Sequence, residues 1–165
     1  MPAMEKTERN GHARLLIVDD EEMVLTSIRS LLKIETDYHV TCCTDPSQAL
    51  EQVRQDSVDL VIADYLMPQM NGIQFLAEVK SVDSEVTRIL LTGYADKESA
   101  IKAINHVGLF HYVEKPWDNN QLLLVIRNGL EKRFLIRQLR EKVSELGEAH
   151  TGLKEVQKRL LQAFI

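Results

Sequence analysis

The sequence predicts an α/β fold, with a five-stranded parallel sheet doubly wound by helices and followed by a long C-terminal helix. The first observation is that short apolar runs alternate with amphipathic stretches five times along the chain. The second is that the first run, Leu15 to Val18, is apolar throughout, which is typical of a strand buried on both faces. Because strands that alternate with helices pair in parallel, helices should cover both faces of the sheet.

The predicted strands are residues 15–18, 39–43, 60–63, 89–91 and 110–113. Between them, helical periodicity places apolar side chains on one face of each connecting segment. The clearest of these faces are Val24, Ile28, Leu31 and Leu32 in the first helix and Ala100, Ile101 and Ile104 in the fourth. Asp45 and Pro46 predict the start of the second helix, as N-cap and first-turn proline, and a long helix should begin near Asp118.

The chain divides into three parts by pattern. Residues 1–12 are polar and charged and are predicted to be a disordered lead. Residues 13–133 hold the five strands and form the predicted main domain, and residues 134–165 continue as a helix with a regular apolar seam.

Composition narrows the class of protein. Hydrophobic residues make up 44% of the chain and charged residues 27%, which is typical of a globular protein with an ordinary core. The longest apolar run, residues 122–126, is far too short to cross a bilayer, so no membrane partner is expected. Cys42 and Cys43 are adjacent and cannot close an ordinary disulfide loop, which favours a reducing, cytoplasmic location.

The net charge of −5 is unevenly distributed. Residues 131–165 contain eight Lys/Arg and five Asp/Glu, which leaves the rest of the chain strongly acidic. An acidic body argues against direct nucleic-acid binding, and the mixed signs of the tail favour a solvated helix flank.

Polar residues follow four of the predicted strands. Asp19 and Asp20 come after the first strand, Asp64 after the third, Thr92 after the fourth and Lys115 after the fifth. In a parallel sheet these positions meet at one edge, where ligands bind. Three carboxylates this close are unfavourable without a cation, and a hard divalent ion such as Mg²⁺ is the natural ligand. Each residue alone has an ordinary structural explanation, as a cap, a turn former or a strand residue, but the set of them favours a functional site.

The segments LLIVDDEE, LVIADYLMPQMNG, ILLTGYAD and HYVEKPW together resemble the receiver domains of two-component response regulators. The resemblance covers roughly residues 13–133 and implies a flavodoxin-like fold. It implies that Asp64 is the phosphoacceptor of a histidine kinase or a phosphotransfer protein. It also implies that Asp19 and Asp20 hold Mg²⁺, or Mn²⁺, together with Asp64 and the backbone carbonyl of Leu66, with Asp20 a direct ligand.

The same resemblance gives roles to four further positions. Thr92 matches the switch hydroxyl, Lys115 the lysine that pairs with phosphoryl oxygens, and Tyr112 the switch aromatic residue. Leu66 and Tyr94 match positions that tune the rate of dephosphorylation. The resemblance implies a signalling domain rather than an enzyme. It would relay its state through the face formed by the fourth helix, the fifth strand and the fifth helix.

The C-terminal segment predicts a homodimeric coiled coil. Leucines recur every seven residues, and a second core position falls between them. The apolar members of this seam are Ile136, Leu139, Val143, Leu146, Leu153 and Leu160, with Phe164 at its end. His150 and Gln157 are polar core positions, and Gly147 and Gly152 weaken the helix. The alternative is an amphipathic helix folded back on its own receiver, which a seam of this length disfavours.

A receiver followed by a dimeric helix usually connects to an output domain, so we expect the sequence to be the N-terminal part of a longer regulator. The KPW at Lys115, Pro116 and Trp117 resembles receivers that precede cyclic-dinucleotide phosphodiesterases or AAA+ ATPase regulators. The identity of the output and the sign of regulation stay open.

Two other functions compete with this interpretation. One is a pseudo-receiver, a constitutive dimerisation scaffold that is never phosphorylated, and the complete acidic set with Thr92 and Lys115 counts against it. The other is a small FMN-binding protein or enzyme of the same fold class. It would need a phosphate-binding loop after the first strand, where this chain has Asp-Asp-Glu-Glu.

Overall fold

The computed structural model describes residues 12–93, 96–149 and 151–163, and within these ranges it gives five strands and six helices. The predicted disordered lead lies outside the described residues, apart from His12. The strands are β1 (Arg14–Val18), β2 (His39–Cys43), β3 (Leu60–Asp64), β4 (Thr87–Thr92) and β5 (His111–Glu114). The helices are α1 (Glu22–Glu35), α2 (Pro46–Gln55), α3 (Gly72–Val82), α4 (Lys97–Val107), α5 (Asn119–Ala149) and α6 (Thr151–Ala163).

All five strands are parallel and lie in the order β2-β1-β3-β4-β5. The predicted five-stranded parallel sheet, wound on both faces and followed by a long helix, is therefore confirmed. Because every strand runs the same way, the residues after the strands gather at one edge. The chain divides into two compact units, one ending at Arg133 and the other beginning at Phe134.

Apolar side chains on alternate positions of the strands enter two separate cores, one on each face of the sheet. This explains why the central residues of β1, β3 and β4 are apolar on both faces of the sheet. One core joins the strands to α2, α3 and α4 and includes Leu16, Val18, Val61, Ala63, Leu90, Phe75 and Leu76. The other joins them to α1 and the first turns of α5 and includes Leu15, Ile17, Leu60, Ile62, Ile89, Ile28 and Ile126.

The predicted buried face of α1 was confirmed, and that of α4 was wrong at one residue. In α1, Ile28 and Leu32 are buried together with Leu25, and Val24 and Leu31 pack half-buried against the same core. In α4, the residues that face the core are Ala100, Ala103, Ile104 and Val107, which recur at the spacing of one helix face. Ile101 lies outside this spacing and is exposed.

Other local predictions were confirmed or shifted by a residue. The Asp45 side chain caps α2 by accepting a hydrogen bond from the Ser47 N–H at 2.8 Å, and Pro46 is the first residue of that helix. The fifth strand runs His111–Glu114, one residue later than predicted, and α5 begins at Asn119. Cys43 is buried, Cys42 is half-buried, and both are free thiols.

At the opposite edge of the sheet, buried polar contacts attach α5 to the N-terminal ends of the strands. Arg133 is only 7% exposed, and its Nε donates to Asp59 Oδ1 at 3.0 Å. Its Nη2 lies 3.8 Å from Asp83 Oδ2. One helical turn earlier, the Thr87 hydroxyl donates to the carbonyl of Gly129 at 3.0 Å. These contacts fix α5 at the point where the first compact unit ends.

In the second unit, the described side chains of the predicted seam are exposed, from 39% for Ile136 to 65% for Leu139. Val143, Leu146 and Leu160 are exposed in the same way, as are Leu135, Val156 and Leu161 nearby. His150 and Phe164 lie outside the described residues, and so do the side chains of Leu153 and Gln157. None of the described helices is long and apolar enough to cross a membrane.

We predict that Arg133→Ala lowers the free energy of unfolding by about 3 kcal/mol, because it removes the buried guanidinium group that pairs with the largely buried Asp59 carboxylate. Urea unfolding followed by Trp117 fluorescence measures this loss. The control is Arg54→Ala, which removes an exposed pair with Glu51 and should cost less than about 1 kcal/mol. Equal losses in the two variants would contradict a structural role for Arg133.

Candidate functional site

The carboxyl ends of the strands bring together the acidic residues that were singled out from the sequence. One oxygen from each of Asp19, Asp20 and Asp64 lies within 4.8 Å of the others. Asp19 and Asp64 are buried, whereas Asp20 is exposed at the mouth of the cluster. Asp19 directly follows β1 and Asp64 is the last residue of β3, and these two strands are neighbours in the sheet.

Lys115 supplies the positive charge within this cluster. Its Nζ lies 3.1 Å from Asp19 Oδ2 and 3.0 Å from Asp64 Oδ1. The backbone N–H of Lys115 donates to the carbonyl of Thr92 at 2.8 Å, which fixes the end of β5 against the end of β4. A cis peptide bond then joins Lys115 to Pro116. The ammonium group is therefore held between the two buried acids.

The three carboxylates of the cluster carry more negative charge than the Lys115 ammonium group can neutralise. Burial raises the pKa of Asp19 above its usual value, against the opposing effect of the Glu21 N–H and of Lys115. Burial also raises the pKa of Asp64, and the neighbouring charges of Asp19 and Asp20 raise it further. Burial lowers the pKa of Lys115, but its hydrogen bonds to Asp64 and Asp19 outweigh that effect, so its pKa is raised. One ammonium group thus faces three acids, and a further cation would relieve their repulsion.

The hydrogen bonds of Asp19 distinguish it from the other two acids. Its Oδ1 accepts from the Glu21 N–H at 2.8 Å and its Oδ2 accepts from Lys115, so both oxygens already have partners. The Asp19 N–H donates to the Cys43 carbonyl at 3.2 Å, which fixes the residue at the end of β1. Lys115 pairs with Oδ1 of Asp64, which leaves Asp64 Oδ2 and the exposed Asp20 carboxylate as the oxygens open to a metal. An all-oxygen set of this kind suits Mg²⁺.

The segment after Asp64 is tied to the same edge. The Tyr65 N–H donates to the Leu91 carbonyl at 2.8 Å, and the Gly72 N–H donates to the Tyr65 carbonyl at 2.9 Å. The Leu66 side chain, two residues after Asp64, is 65% exposed. The role of the Leu66 carbonyl as a metal ligand stays a prediction.

The remaining predicted residues lie around this cluster. Thr92 is buried at the end of β4, and its hydroxyl donates to the Gly93 carbonyl at 3.0 Å. Tyr112 in β5 is half-buried and packs against the core on the α4 side of the sheet. Tyr94 lies outside the described residues. Gly72 was not among the predicted site residues, and the structure places it against the backbone of Asp64.

The amino-acid sequence of the chain is similar to the sequences of known regulatory proteins. Residues 15–127 match the family model described as "Response regulator receiver domain". The regulatory protein AtoC of Escherichia coli is 32% identical over 127 residues, which cover 77% of this chain and 27% of AtoC. The response regulator protein TodT of Pseudomonas putida is 28% identical over 148 residues, covering 90% of this chain and 64% of TodT.

Solved structures give the same result. A response regulator receiver domain protein from Clostridium thermocellum has a TM-score of 0.71 at 32% identity, covering 75% of this chain and 98% of that one. The signal receiver domain of an HD domain-containing protein from Pseudomonas fluorescens has a TM-score of 0.70 at 37% identity, with 74% and 98% covered. The chain spans about a quarter of the length of the first curated relatives it matches, 25% for HoxA of Cupriavidus necator. On this match and this fold, the chain belongs to the response regulator receiver domain family.

Proposed function

We propose that this chain accepts a phosphoryl group on Asp64 from a histidine kinase or a phosphotransfer protein. The observation that carries the proposal is the position of the Asp64 carboxylate. It lies at the end of the central strand, 3.0 Å from the Lys115 ammonium group and beside two further acids. A carboxylate is a nucleophile that can form an acyl phosphate.

In the proposed step, an oxygen of Asp64 forms a bond to phosphorus while the bond from phosphorus to the donor imidazole nitrogen breaks. The electron pair of that bond leaves with the imidazole, which takes up a proton. Phosphoryl transfer depends mainly on alignment and on neutralising the equatorial oxygens. Lys115, already between the acids, would pair with one of these oxygens, and the Thr92 hydroxyl would turn from Gly93 to donate to another.

We further propose that Asp19, Asp20, Asp64 and the Leu66 carbonyl form a site for Mg²⁺, with Mn²⁺ as the alternative ion. The support is the all-oxygen donor set, its excess negative charge and the exposure of Asp20. When bound, the ion would neutralise charge that develops on the phosphoryl oxygens. Both oxygens of the buried Asp19 accept hydrogen bonds, so Asp19 would orient Lys115 from the interior side of the site.

The proposed output of this reaction is a change on the face made of α4, β5 and α5. Thr92 and Lys115 join the acidic cluster to this face, because the Lys115 N–H is bonded to the Thr92 carbonyl. Tyr112 lies in β5 and packs against the core, and it would respond as the switch aromatic residue.

The second unit, residues 134–165, is proposed to be a dimerisation helix. Its exposed apolar side chains recur with the spacing of a coiled-coil seam, and a second copy of the chain would cover them.

An output domain beyond Ile165 is proposed because this chain spans only part of the length of its relatives. Direct nucleic-acid binding by this segment is not expected, and a cytoplasmic location stays a prediction from the two free thiols.

We predict that Asp64→Asn abolishes labelling by acetyl phosphate in the presence of Mg²⁺, because the amide is not a nucleophile for this transfer. The fold should be retained, since the change removes one negative charge from a crowded cluster. Intact-mass spectrometry measures the added phosphoryl group, and Asp37→Asn, at an exposed acid outside the cluster, is the matched control. Full labelling of the Asp64 variant at another residue would refute the assignment.

We predict that Asp20→Ala weakens Mg²⁺ binding by at least about tenfold, because it removes an accessible carboxylate ligand. Calorimetric titration with Mg²⁺ measures the affinity. Asp37→Ala serves as the control, because it removes the same charge at a distance from the cluster. An unchanged affinity in the Asp20 variant would exclude Asp20 as a ligand.

We predict that truncation after Arg133 converts a dimer into a monomer, because the proposed seam begins in the second unit. Light scattering of the full chain and of residues 1–133 gives the two masses. Substitution of Leu139 and Val143 by Ser in the full chain should weaken the dimer in the same way. A dimer that survives truncation would place the interface on the receiver.

We predict that the double variant Leu66→Asn with Tyr94→Ala loses its phosphoryl group faster than the wild type. Hydrolysis requires a water in line with the bond to phosphorus, and these two positions are expected to flank that approach. The exposure of Leu66 leaves it free to cover the site. Decay of the phosphorylated species after removal of acetyl phosphate gives the rate. The same decay in both proteins would show that Leu66 and Tyr94 do not shield the phosphoryl group.

A further inference from the structure

Gly72, the first residue of α3, packs directly against the backbone of Asp64. A β-carbon built on Gly72 would overlap the Asp64 carbonyl oxygen and stand 2.9 Å from the Asp64 carbonyl carbon. These are backbone atoms of a buried strand, so they cannot rotate out of the way. Any side chain at position 72 must displace either the end of β3 or the start of α3.

We propose that Gly72 is a positioning residue for phosphoryl transfer: its lack of a side chain sets where the Asp64 carboxylate and the segment carrying Leu66 lie. The inference rests on the proposed role of Asp64. It adds the requirement that the backbone of Asp64 be held in its observed position by close packing against Gly72.

Hydrogen bonds at both ends of the loop support this role. The Tyr65 N–H is bonded to β4 through the Leu91 carbonyl, and the Gly72 N–H is bonded to the Tyr65 carbonyl. Residues 65–72 therefore form a loop that leaves Asp64 and returns to its side. Leu66, whose carbonyl is the proposed metal ligand, lies within this loop. A shift of Gly72 would be passed to both ends of it.

The first turn of α3 is also fixed, so it cannot easily yield to a new side chain. Asn71 Oδ1 accepts from the Gln74 N–H at 2.8 Å, and Gln74 Oε1 accepts from the Asn71 N–H at 3.0 Å. This reciprocal capping box holds the residues on both sides of Gly72 in place. Strain from a β-carbon would therefore fall on the Asp64 backbone.

A competing explanation is that Gly72 serves only to pack the core. The β-carbon would also come within 2.8 Å of Leu90 Cδ1, which belongs to a core side chain. Leu90→Val removes that atom and leaves the contact with the Asp64 backbone in place. The two explanations therefore differ in whether Leu90→Val rescues Gly72→Ala.

Gly129 in α5 provides a matched control. A β-carbon there would stand 2.7 Å from Thr87 Cγ2 and 3.2 Å from Phe110 Cδ1, so it too is crowded. Both contacts are with side chains, and Thr87 begins β4 at the edge of the sheet opposite Asp64. Gly129→Ala therefore introduces a clash with side chains alone, without touching the backbone of the site.

The experiment compares Gly72→Ala, Gly129→Ala and the double variant Gly72→Ala with Leu90→Val, each in the full chain. Thermal unfolding gives the stability of each, and intact-mass spectrometry gives the rate of labelling by acetyl phosphate with Mg²⁺. We expect Gly72→Ala to slow labelling by about 100-fold, the size of effect that a displacement of about 1 Å can cause. Gly129→Ala should lose stability but keep the wild-type rate, and the double variant should stay slow.

Two results would overturn the inference: equal rates in the Gly72 and Gly129 variants, or recovery of the rate in the double variant. If Gly72→Ala does not fold, the double variant takes its place in the comparison with Gly129→Ala. If the wild type is not labelled at all, the proposed function fails, but titration with Mg²⁺ alone still decides the role of Gly72. Affinity lost in the Gly72 variant and kept in the Gly129 variant supports it, and equal affinities refute it.

Discussion

Two buried carboxylates at one end of the sheet, those of Asp19 and Asp64, share the single ammonium group of Lys115. Burial disfavours the charged form of both acids, and the nearby charge of Asp20 adds to their repulsion. The folded chain thus maintains a local excess of negative charge, which a cation would offset. Such a site is costly as mere structure. Its proposed use is to hold a divalent ion and, beside it, an incoming phosphoryl group.

The sheet makes this arrangement possible because its strands end in register. Asp64 lies opposite Leu91 in β4, and Thr92 lies opposite Glu114 in β5, so Lys115 is the next residue beyond the sheet. The loop after Asp64 is bonded to β4 and returns through Gly72. At the other edge, Arg133 attaches α5 to Asp59. The acidic cluster and the contact of Arg133 with Asp59 therefore lie at opposite ends of the sheet.

Much of the fold could be predicted because most of the strands carry a short apolar run that is followed by polar residues. The acidic cluster followed from the topology, since parallel strands bring their carboxyl ends to one edge. The packing faces of the helices were harder to predict. Ile101 is strongly hydrophobic, but it lies outside the helix face formed by Ala100, Ala103, Ile104 and Val107 and is exposed.

Individual ion pairs and backbone contacts between residues far apart in the sequence could not be predicted from the sequence alone. Arg133 and Asp59 are 74 positions apart, and each has the ordinary appearance of a surface charge until the fold pairs them. Gly72 shows the same limit, because an Asn-Gly pair indicates a turn but does not tell which backbone lies beside it. The heptad spacing of apolar residues in the second unit is a repeating local pattern, and the homodimeric coiled coil that it indicates stays a prediction.

The most direct measurement identifies, by chemical reduction, which side chain carries the phosphoryl group. The wild-type chain is incubated with acetyl phosphate, reduced with borohydride, which converts an aspartyl phosphate to homoserine, and digested for peptide sequencing by mass spectrometry. Homoserine at position 64, formed with Mg²⁺ and not without it, is the predicted result. Homoserine at another acidic residue, or equal conversion in the absence of Mg²⁺, would contradict a metal-dependent phosphoacceptor at Asp64.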